Sequence, residues 1–359
     1  MKKQLLVIGT ITILLFVSFS GCNEHTSETE DTTQNSENGD NQETANGDEL
    51  FQNICQTVID DYPEWTLSDT EIIICEKPDK SFFYRNSPED LSVGIDSPVS
   101  SFETLVDMDF IGLNEISYVK TQDDKWHICL FKLNGMDAPD NSMIYEKTES
   151  ISSIDISPIN SNEFIVFYTA DNNAILEYLD VVGSIEENLL ETSVSESSNQ
   201  KLAVSVKGSY VYLLYGNTLR IFDIASKTEL DEIDTVESVV WIGDSYLLYS
   251  NSEGTYIYKV KNKDTGKLTK INSVSDLSFN PKNNGMLAYT DQGNVKVINC
   301  GTWQISGPTE DVQILALASE QTAIIDKEGF VDFWRFYNAD WTVSLSEGFS
   351  NFATVWKRY

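Results

Sequence analysis

Histidine, the residue most often used for nucleophilic and metal chemistry, is scarce in this chain of 359 residues. Only His25 and His127 occur, and His127 lies in the β-branched and aromatic segment "WHICLFKL" (126–133). A Ser-His-Asp triad needs a histidine beside its nucleophile, and zinc sites use clustered histidine and cysteine ligands. We therefore interpret His127 as a residue on the face of a strand. We predict no catalytic residue, no metal site and no bound cofactor.

Carboxylates are the abundant chemical group. Asp and Glu number 57 against 24 Lys and Arg, which gives a net charge of -33. With so many acids, spacing alone cannot select the carboxylate pair that a glycoside hydrolase needs. A surface this negative repels phosphates, so we predict no nucleic-acid partner. It suits basic partners or cations instead.

The N-terminus has the order of an export signal. Two lysines precede an apolar run over residues 5–19, which is too short to be a comfortable bilayer span. Small residues and Cys22 follow. The stretch Phe19-Ser20-Gly21-Cys22 resembles the lipobox of prokaryotic lipoproteins, although phenylalanine stands where leucine is commonest.

This resemblance implies that residues 1–21 are a signal peptide and that Cys22 becomes the acylated first residue of the mature protein. Two acyl chains anchor a protein well, whereas one anchors it weakly. The expected location is extracytoplasmic, lipid-anchored to the cell membrane, or to the outer membrane if the source has one. An uncleaved anchor or a plain secretory peptide is the alternative, and it would leave the chain in the same compartment.

Two short segments connect this leader to the rest. Residues 22–48 are acidic and polar without an apolar cluster, which predicts a disordered acidic tether. Apolar residues then recur at helical spacing up to Tyr62-Pro63, which ends the pattern. The sequence predicts a short amphipathic helix and connection over 49–68. The apolar residues of this helix are Leu50, Phe51, Ile54, Cys55, Val58 and Ile59.

Residues 69–359 consist of short β-branched and aromatic segments separated by Gly, Asn and Asp, so we predict an all-β domain. Similar segments begin at residues 104, 150, about 198, 235, 273, 311 and about 348, a period near 40 with four strands per unit. The segment "TLRIFDIASKTEL" (218–230) resembles WD40-like and quinoprotein-like propeller repeats, without the Gly-His pair and Trp-Asp ending of WD40 proteins. A stacked pair of β-sandwiches is the alternative.

The two ends of this domain complete each other. Residues 71–97 supply about three strands without a first strand, and residues 349–359 supply a first strand with nothing after it. Joined, they make a seventh blade and remove the free sheet edges. We therefore predict a seven-bladed β-propeller closed by pairing the N- and C-terminal strands, preceded by the short helix.

Acids recur in the turns between the second and third strands of these units. In a propeller such turns lie on one face, where a ring of carboxylates could attract calcium or a basic partner. Asp and Asn also suit tight turns and solubility, and the sequence leaves that alternative open. The candidate binding face consists of Asp123, Asp124, Asp171, Glu253, Asp291 and Glu328.

Four cysteines follow Cys22, and none forms a C-x-x-C motif. Four cysteines allow three pairings, and disulfides persist outside the cytoplasm. Cys55–Cys75 is the disulfide we favour, because it would join the helix to the first strands across a short loop. Cys129 and Cys300 fall in different units and are interpreted as buried small hydrophobic residues.

These features favour a non-catalytic binding or scaffolding platform, held as a monomeric domain at the outer face of the membrane, with a protein partner or small ligand. The rival interpretation is a carbohydrate-active hydrolase or lyase that uses carboxylates in the central channel. Converging acids with an Arg or Tyr in a deep pocket would favour the enzyme, and a shallow acidic rim would favour the platform. A quinoprotein-type oxidoreductase would need a Trp floor and clustered cation ligands, which the sequence does not reveal. Because a propeller hosts many functions, the platform role rests on analogy.

Overall fold

A computed structural model describes most of the chain from residue 46 onward. The described residues are 46–67, 73–76, 79, 82–85, 93–95, 99, 103–123, 125–133, 140–148, 151–194, 199–306, 313–317, 322–327, 330–337 and 340–357. The predicted signal peptide, Cys22 and nearly all of the predicted tether lie outside this set. Among the helices that are described, none has the length and apolarity to cross a bilayer.

One α-helix precedes the strands. Helix α1 (Gly47–Thr57) begins where the side chain of Asn46 accepts a hydrogen bond from Asp48 N. Asp48 and Glu49 in its first turn interact favourably with the positive end of the helix dipole. Phe51, Ile54 and Cys55 form its buried face. Short 3₁₀ turns follow at Val58–Asp61 and Glu64–Leu67. The predicted amphipathic helix is confirmed.

The strands after α1 are short and entirely antiparallel. They are β1 (Ile73–Glu76), β2 (Phe82–Arg85), β3 (Val93–Ile95), β4 (Thr104–Gly112), β5 (Glu115–Gln122), β6 (Lys125–Lys132), β7 (Asp140–Lys147), β8 (Ile151–Pro158), β9 (Glu163–Ala170), β10 (Asn173–Asp180), β11 (Ile185–Ser193), β12 (Gln200–Val204), β13 (Tyr210–Tyr215), β14 (Thr218–Asp223), β15 (Thr228–Ile233), β16 (Val236–Ile242), β17 (Tyr246–Asn251), β18 (Gly254–Lys259), β19 (Asp264–Lys267), β20 (Ser275–Asn280), β21 (Met286–Asp291), β22 (Asn294–Asn299), β23 (Gln304–Ser306), β24 (Gln313–Leu317), β25 (Thr322–Lys327), β26 (Phe330–Tyr337), β27 (Asp340–Phe349) and β28 (Asn351–Thr354).

Within the described residues these strands form seven four-stranded sheets, the blades of a β-propeller. We number the blades in chain order: blade 1 (β4–β7), blade 2 (β8–β11), blade 3 (β12–β15), blade 4 (β16–β19), blade 5 (β20–β23), blade 6 (β24–β27) and blade 7 (β28 with β1–β3). In blade 7, Ile73 pairs with Thr354 and Cys75 with Phe352, so a strand from each end of the domain shares one sheet. The predicted seven-bladed ring and its closure are confirmed.

The first strands of neighbouring blades line the centre and are joined by side chains rather than by a sheet ladder. Buried backbone N–H groups need an acceptor, and serine hydroxyls on the preceding blade supply it. The bonds run from Val204 N to Ser157 Oγ, from Leu277 N to Ser238 Oγ and from Leu317 N to Ser278 Oγ, each 2.9 Å long. A larger contact seals blades 3 and 4, where the buried Trp241 donates its indole N–H to Ala203 O at 2.9 Å.

The ring has two different faces. In each four-stranded blade the first-to-second and third-to-fourth turns lie at one end, which we call the closed face. The second-to-third turns lie at the other end, which we call the open face. Helix α1 packs against β18 and β19 of blade 4 and against the closed-face turns of blade 5, where Gln52 Nε2 donates to Gly301 O at 2.5 Å.

The segment after α1 crosses the closed face toward the centre. Tyr62 accepts a hydrogen bond from Gly243 N at 3.1 Å through its hydroxyl, and its ring lies 5.7 Å from that of Trp356, which follows β28. Gly243 has a φ of +68°, and a Cβ there would lie 2.1 Å from Val58 Cγ2. Only glycine therefore allows this close approach. The helix and its extension cover one end of the ring.

Candidate functional site: the central channel

A cavity of about 290 Å³ occupies the centre of the ring and is lined mainly by the first strands of the blades. Its closed-face end is formed by Trp356, against which Tyr62 packs. Polar residues come from blades 7, 1, 2 and 3, whereas blades 4, 5 and 6 contribute mainly apolar side chains. The polar group contains Asp107, Asp109, Asp155, Gln200, Lys201, Tyr212 and Lys357, and the apolar group contains Val239, Val240, Leu277 and Leu315.

The centre of the polar wall is a hydrogen-bonded pair of carboxyl groups, Asp107 on β4 and Asp155 on β8. Asp107 Oδ1 also accepts Met108 N at 2.9 Å and Lys357 Nζ at 2.6 Å, and its Oδ2 accepts Ile156 N at 3.2 Å. Asp107 thus links blade 1 to blade 2, as the serines do elsewhere, and links both to the chain that leaves blade 7.

The two carboxyl groups hold their proton unequally. Burial alone would raise the pKa of Asp107, but the charge of Lys357 and several hydrogen bonds bring that pKa below its ordinary value. Burial and the negative charge of Asp107 raise the pKa of Asp155 well above its ordinary value. Asp155 is therefore the member that keeps the proton, and it donates to the Asp107 carboxylate.

The lysines respond to opposite influences. Burial would lower the pKa of Lys357, but Asp107 and Asp109 raise it above its ordinary value, and Asp109 Oδ1 lies 4.0 Å from its Nζ. Burial lowers the pKa of Lys201, whose Nζ lies 3.5 Å from Ser238 Oγ. Burial, with a smaller effect of Asp155, raises the pKa of Tyr212. The charges on the polar wall largely compensate one another.

This geometry limits the chemistry of the carboxyl pair. The two carboxyls of a glycoside hydrolase flank the bond that they break and are about 5–10 Å apart. Asp107 and Asp155 are in direct hydrogen-bond contact, so they lack that separation. Such a pair can share a proton, link two blades and offer one face to a ligand. No group of three or more His, Cys, Asp or Glu in the described part of the chain is arranged to hold a metal ion.

The predicted acidic face is only partly described, because Asp124 and Glu328 lie outside the described residues. The other four acids occupy the open-face turns of blades 1, 2, 4 and 5 or the strand ends beside them. Asp123 and Asp171 have φ values of +52° and +50°, a conformation that Asp adopts in tight turns, and Asp291 is ion-paired with Lys296. These observations agree with the turn-geometry interpretation and leave a binding role to be tested.

The favoured disulfide is not formed in the structure, where Cys55 and Cys75 are both free and buried. Cys75 lies on β1 and packs with Phe352 in the cluster between blades 6 and 7. Cys55 faces blade 5 instead, because the chain crosses the closed face between the two residues. Cys129 and Cys300 are buried, as expected. His127 lies on β6, where its Nδ1 contacts Met143 Sδ at 2.9 Å.

The sequence interpretation missed the channel residues. One signal was present: Asp109 and Asp155 occupy the same position in the aligned segments "TLVDMDFIG" and "SISSIDISP", where the other units have an apolar or small residue. The contribution of Lys357 had no such signal, because it follows an incomplete unit.

The fold and the site define the class of protein: the chain is a β-propeller. Similar solved structures include a functionally unknown protein from Desulfotomaculum acetoxidans, with a TM-score of 0.52, 11% identity and coverage of 78% of this chain and 97% of that one. A chain of the mitotic checkpoint complex gives a TM-score of 0.51 at 11% identity, covering 74% of this chain and 84% of that chain. The propeller domain of the trilobed protease from Pyrococcus furiosus gives 0.46 at 13% identity, with 68% and 84% covered.

At 11% identity, the two structures with TM-scores above 0.5 show a similarity of fold alone. No protein-family model matches the chain, and no curated protein matches it in sequence.

Proposed function

We propose that this protein is an exported, lipid-anchored β-propeller that binds a partner or ligand without catalysis at the outer face of the membrane. The observation that carries the proposal is the internal compensation of the channel charges. The protonated Asp155 donates a hydrogen bond to Asp107, and Lys357 neutralises the Asp107 charge. We therefore assign these groups a structural role in the ring and no role in binding a substrate.

The open face is the surface that we propose for binding. The segment from α1 to Tyr62 packs on Gly243 and Trp356 at the closed-face end of the channel, so we propose that a partner approaches from the open face. Asp123, Asp171 and Glu253 border the open face. The net charge of -33 attracts cations over long range, so the expected partner is a basic protein or a cationic ligand.

The location follows from the lipobox-like stretch before Cys22. A lipid on Cys22, followed by the acidic residues 22–48, would hold the domain near the membrane yet free to turn. The test is fractionation of cells that produce the wild type or the Cys22→Ala variant. We expect the wild type to be in the membrane fraction and to carry an acyl label. The variant should be absent from the membrane fraction and should carry no acyl label. Retention of an acyl-labelled variant in membranes would contradict the anchor.

Site-specific crosslinking tests the binding surface. A photo-crosslinking residue would replace Gln122, which is exposed on the open face, or Val182, which is 75% exposed on the closed face as a matched control. In intact cells we expect a discrete, salt-sensitive adduct from position 122 and none from position 182. Adducts of equal strength from both positions, or from neither, would contradict binding at the open face.

The second candidate is a carbohydrate-active hydrolase or lyase. A carboxyl group that keeps its proton, beside a carboxylate and Tyr212 in a cavity of about 290 Å³, is the observation that favours it. The direct contact of the two acids argues against glycoside hydrolysis, as explained above. Incubation of wild type and Asp155→Asn with extracytoplasmic polysaccharides tests this candidate. Release of new chain ends by the wild type alone would favour the enzyme over the binding protein.

A further inference from the structure

Two buried thiols meet where α1 packs on blade 5. Cys55 lies on the buried face of the helix with 1% exposure, and Cys300 directly follows β22 with 0% exposure. Both belong to one hydrophobic cluster, and the Cys300 thiol is near enough to add to the effect of burial, which raises the pKa of the Cys55 thiol. A disulfide requires two cysteines whose Cβ atoms approach within about 3.5–4.5 Å. Cys55 and Cys300 are neighbours in this cluster, which is the first condition for such a bond.

Gly285 explains how the helix comes this near to the blade. Gly285 O accepts Cys300 N at 2.8 Å, so the two residues are neighbours across the β21–β22 hairpin. A Cβ on Gly285 would lie 2.9 Å from Cys55 Cβ and 3.1 Å from Cys55 Sγ. Any side chain at this position would push the helix away, and its absence leaves room for Cys55 to reach Cys300.

The other two cysteines have different surroundings. Cys75 packs in the separate cluster between blades 6 and 7. Cys129 belongs to the same cluster as Cys55 and Cys300, but it lies on β6 of blade 1, where Tyr118 and Lys120 are its neighbours. The geometry therefore selects one pair of the described cysteines.

We propose that in the exported protein Cys55 and Cys300 form a disulfide that fastens α1 to blade 5. This inference rests on the export that we propose above, because disulfides persist in oxidising compartments. Both S–H bonds break and one S–S bond forms, with the release of two protons. The two electrons and the two released protons pass to an extracytoplasmic thiol oxidoreductase, whose own S–S bond breaks to give two thiols.

The bond would have a structural consequence for the channel. Residues after Cys55 supply Val58 and Tyr62, which cover the closed-face end near Gly243 and Trp356. A covalent link just before them would keep this cover in place while a partner acts on the open face. Because burial raises the pKa of the Cys55 thiol, the exchange is expected before the helix is fully docked.

Peptide mapping of the wild-type protein tests the pairing without any substitution. Full-length protein extracted from its own membranes would be alkylated in denaturant, digested without reductant and analysed by mass spectrometry. We expect the Cys55 and Cys300 peptides joined to each other, and the Cys75 and Cys129 peptides alkylated. A Cys55–Cys75 link would overturn the proposed bond, as would four alkylated peptides both here and after the refolding described next.

A second arm separates the pairing from export. Purified protein, fully reduced, would be refolded in a mixture of oxidised and reduced glutathione. We expect the Cys55–Cys300 link to form in this mixture. The Cys300→Ser variant should lack the link, and the control variant Cys129→Ser should retain it. Failure in this mixture would overturn the pairing itself. Formation in the mixture but not in protein from cells would instead contradict export into an oxidising compartment.

Hydrogen exchange supplies a readout that simple burial would not give. Reduction of the linked wild type should speed amide exchange in residues 47–62 while exchange in β13 of blade 3 stays the same. In the Cys300→Ser variant the reductant should leave amide exchange unchanged both in residues 47–62 and in β13. Equal exchange before and after reduction of the wild type would overturn the claim that the bond holds the helix in place.

Discussion

Lys357 Nζ donates to Asp107 Oδ1 at 2.6 Å and to Met108 O at 3.1 Å, which joins the chain leaving β28 to the first strand of blade 1. This contact strengthens the ring beside the point where its two ends meet. Asp107 also accepts Ile156 N, so one carboxylate connects blades 7, 1 and 2. The most charged group of residues in the channel is therefore part of the closure.

Removal of the Lys357 charge should destabilise the domain. Breaking a buried ion pair leaves an uncompensated charge, and because the Lys357 side chain is 25% exposed we expect a loss of about 2–4 kcal/mol for Lys357→Met. Urea unfolding would measure it. Lys132→Met is the control, since Lys132 is 57% exposed and 3.5 Å from Glu115, and such a pair contributes about 0–1 kcal/mol. Equal losses in both variants would contradict the proposed role of Lys357.

The Asp107–Asp155 pair predicts two opposite pH dependences. The folded-state pKa of Asp155 is raised, so its contribution to wild-type stability falls as pH rises from the ordinary Asp value to that folded pKa. Asn does not titrate, so the stability of Asp155→Asn relative to wild type should rise over this window. The folded-state pKa of Asp107 is lowered, so its contribution is lost as pH falls through that value.

Asp107→Asn should consequently lose stability relative to wild type as pH rises from the folded pKa of Asp107 to the ordinary Asp value. Urea unfolding of both variants at a series of pH values measures the two slopes. If the stability differences of the two variants from wild type changed with pH in the same direction, or did not change with pH, Asp155 would not be the residue that keeps the proton.

The close approach at Gly243 predicts a strong effect of a single methyl group. Gly243→Ala combines a φ of +68° with a Cβ 2.1 Å from Val58 Cγ2, so we expect a loss of at least about 2 kcal/mol and displacement of the segment around Tyr62. Gly112→Ala is the matched control, because nothing lies within 4 Å of its Cβ. Thermal unfolding and tyrosine fluorescence would compare them. If Gly243→Ala were as stable as the control, the cover over the channel would not pack as described.

The ring could be predicted from the sequence because its signals are local and repeated. Each unit carries its own strands and turns, and a period near 40 needs no knowledge of distant contacts. The helix was also predictable, since Phe51, Ile54 and Cys55 recur at helical spacing. Even the closure followed from counting strands at the two ends.

Two of the channel acids share a position in the repeats, but their assembly into one site could not be predicted because its members are far apart in the chain. Asp107 and Asp155 come from different blades, and Lys357 comes from the chain after β28. The sequence interpretation paired Cys55 with Cys75 because it took a short loop to mean spatial proximity, whereas the structure places the two residues in different clusters. The chain instead crosses the closed face between them, and Cys55 lies near Cys300, which belongs to a distant repeat.

Strand complementation tests the central claim, a ring closed by pairing β1 with β28, most directly. A chain ending at Ser350 lacks β28, so Ile73, Ile74 and Cys75 keep their pairing with β2 but lose the inner partner strand, and the chain should lose cooperative unfolding. A synthetic peptide of residues 349–359 should restore it, and the same peptide with Ala353→Arg, at a position 0% exposed, should not. A truncated chain that unfolds cooperatively at the wild-type urea concentration without any peptide would contradict the closed ring.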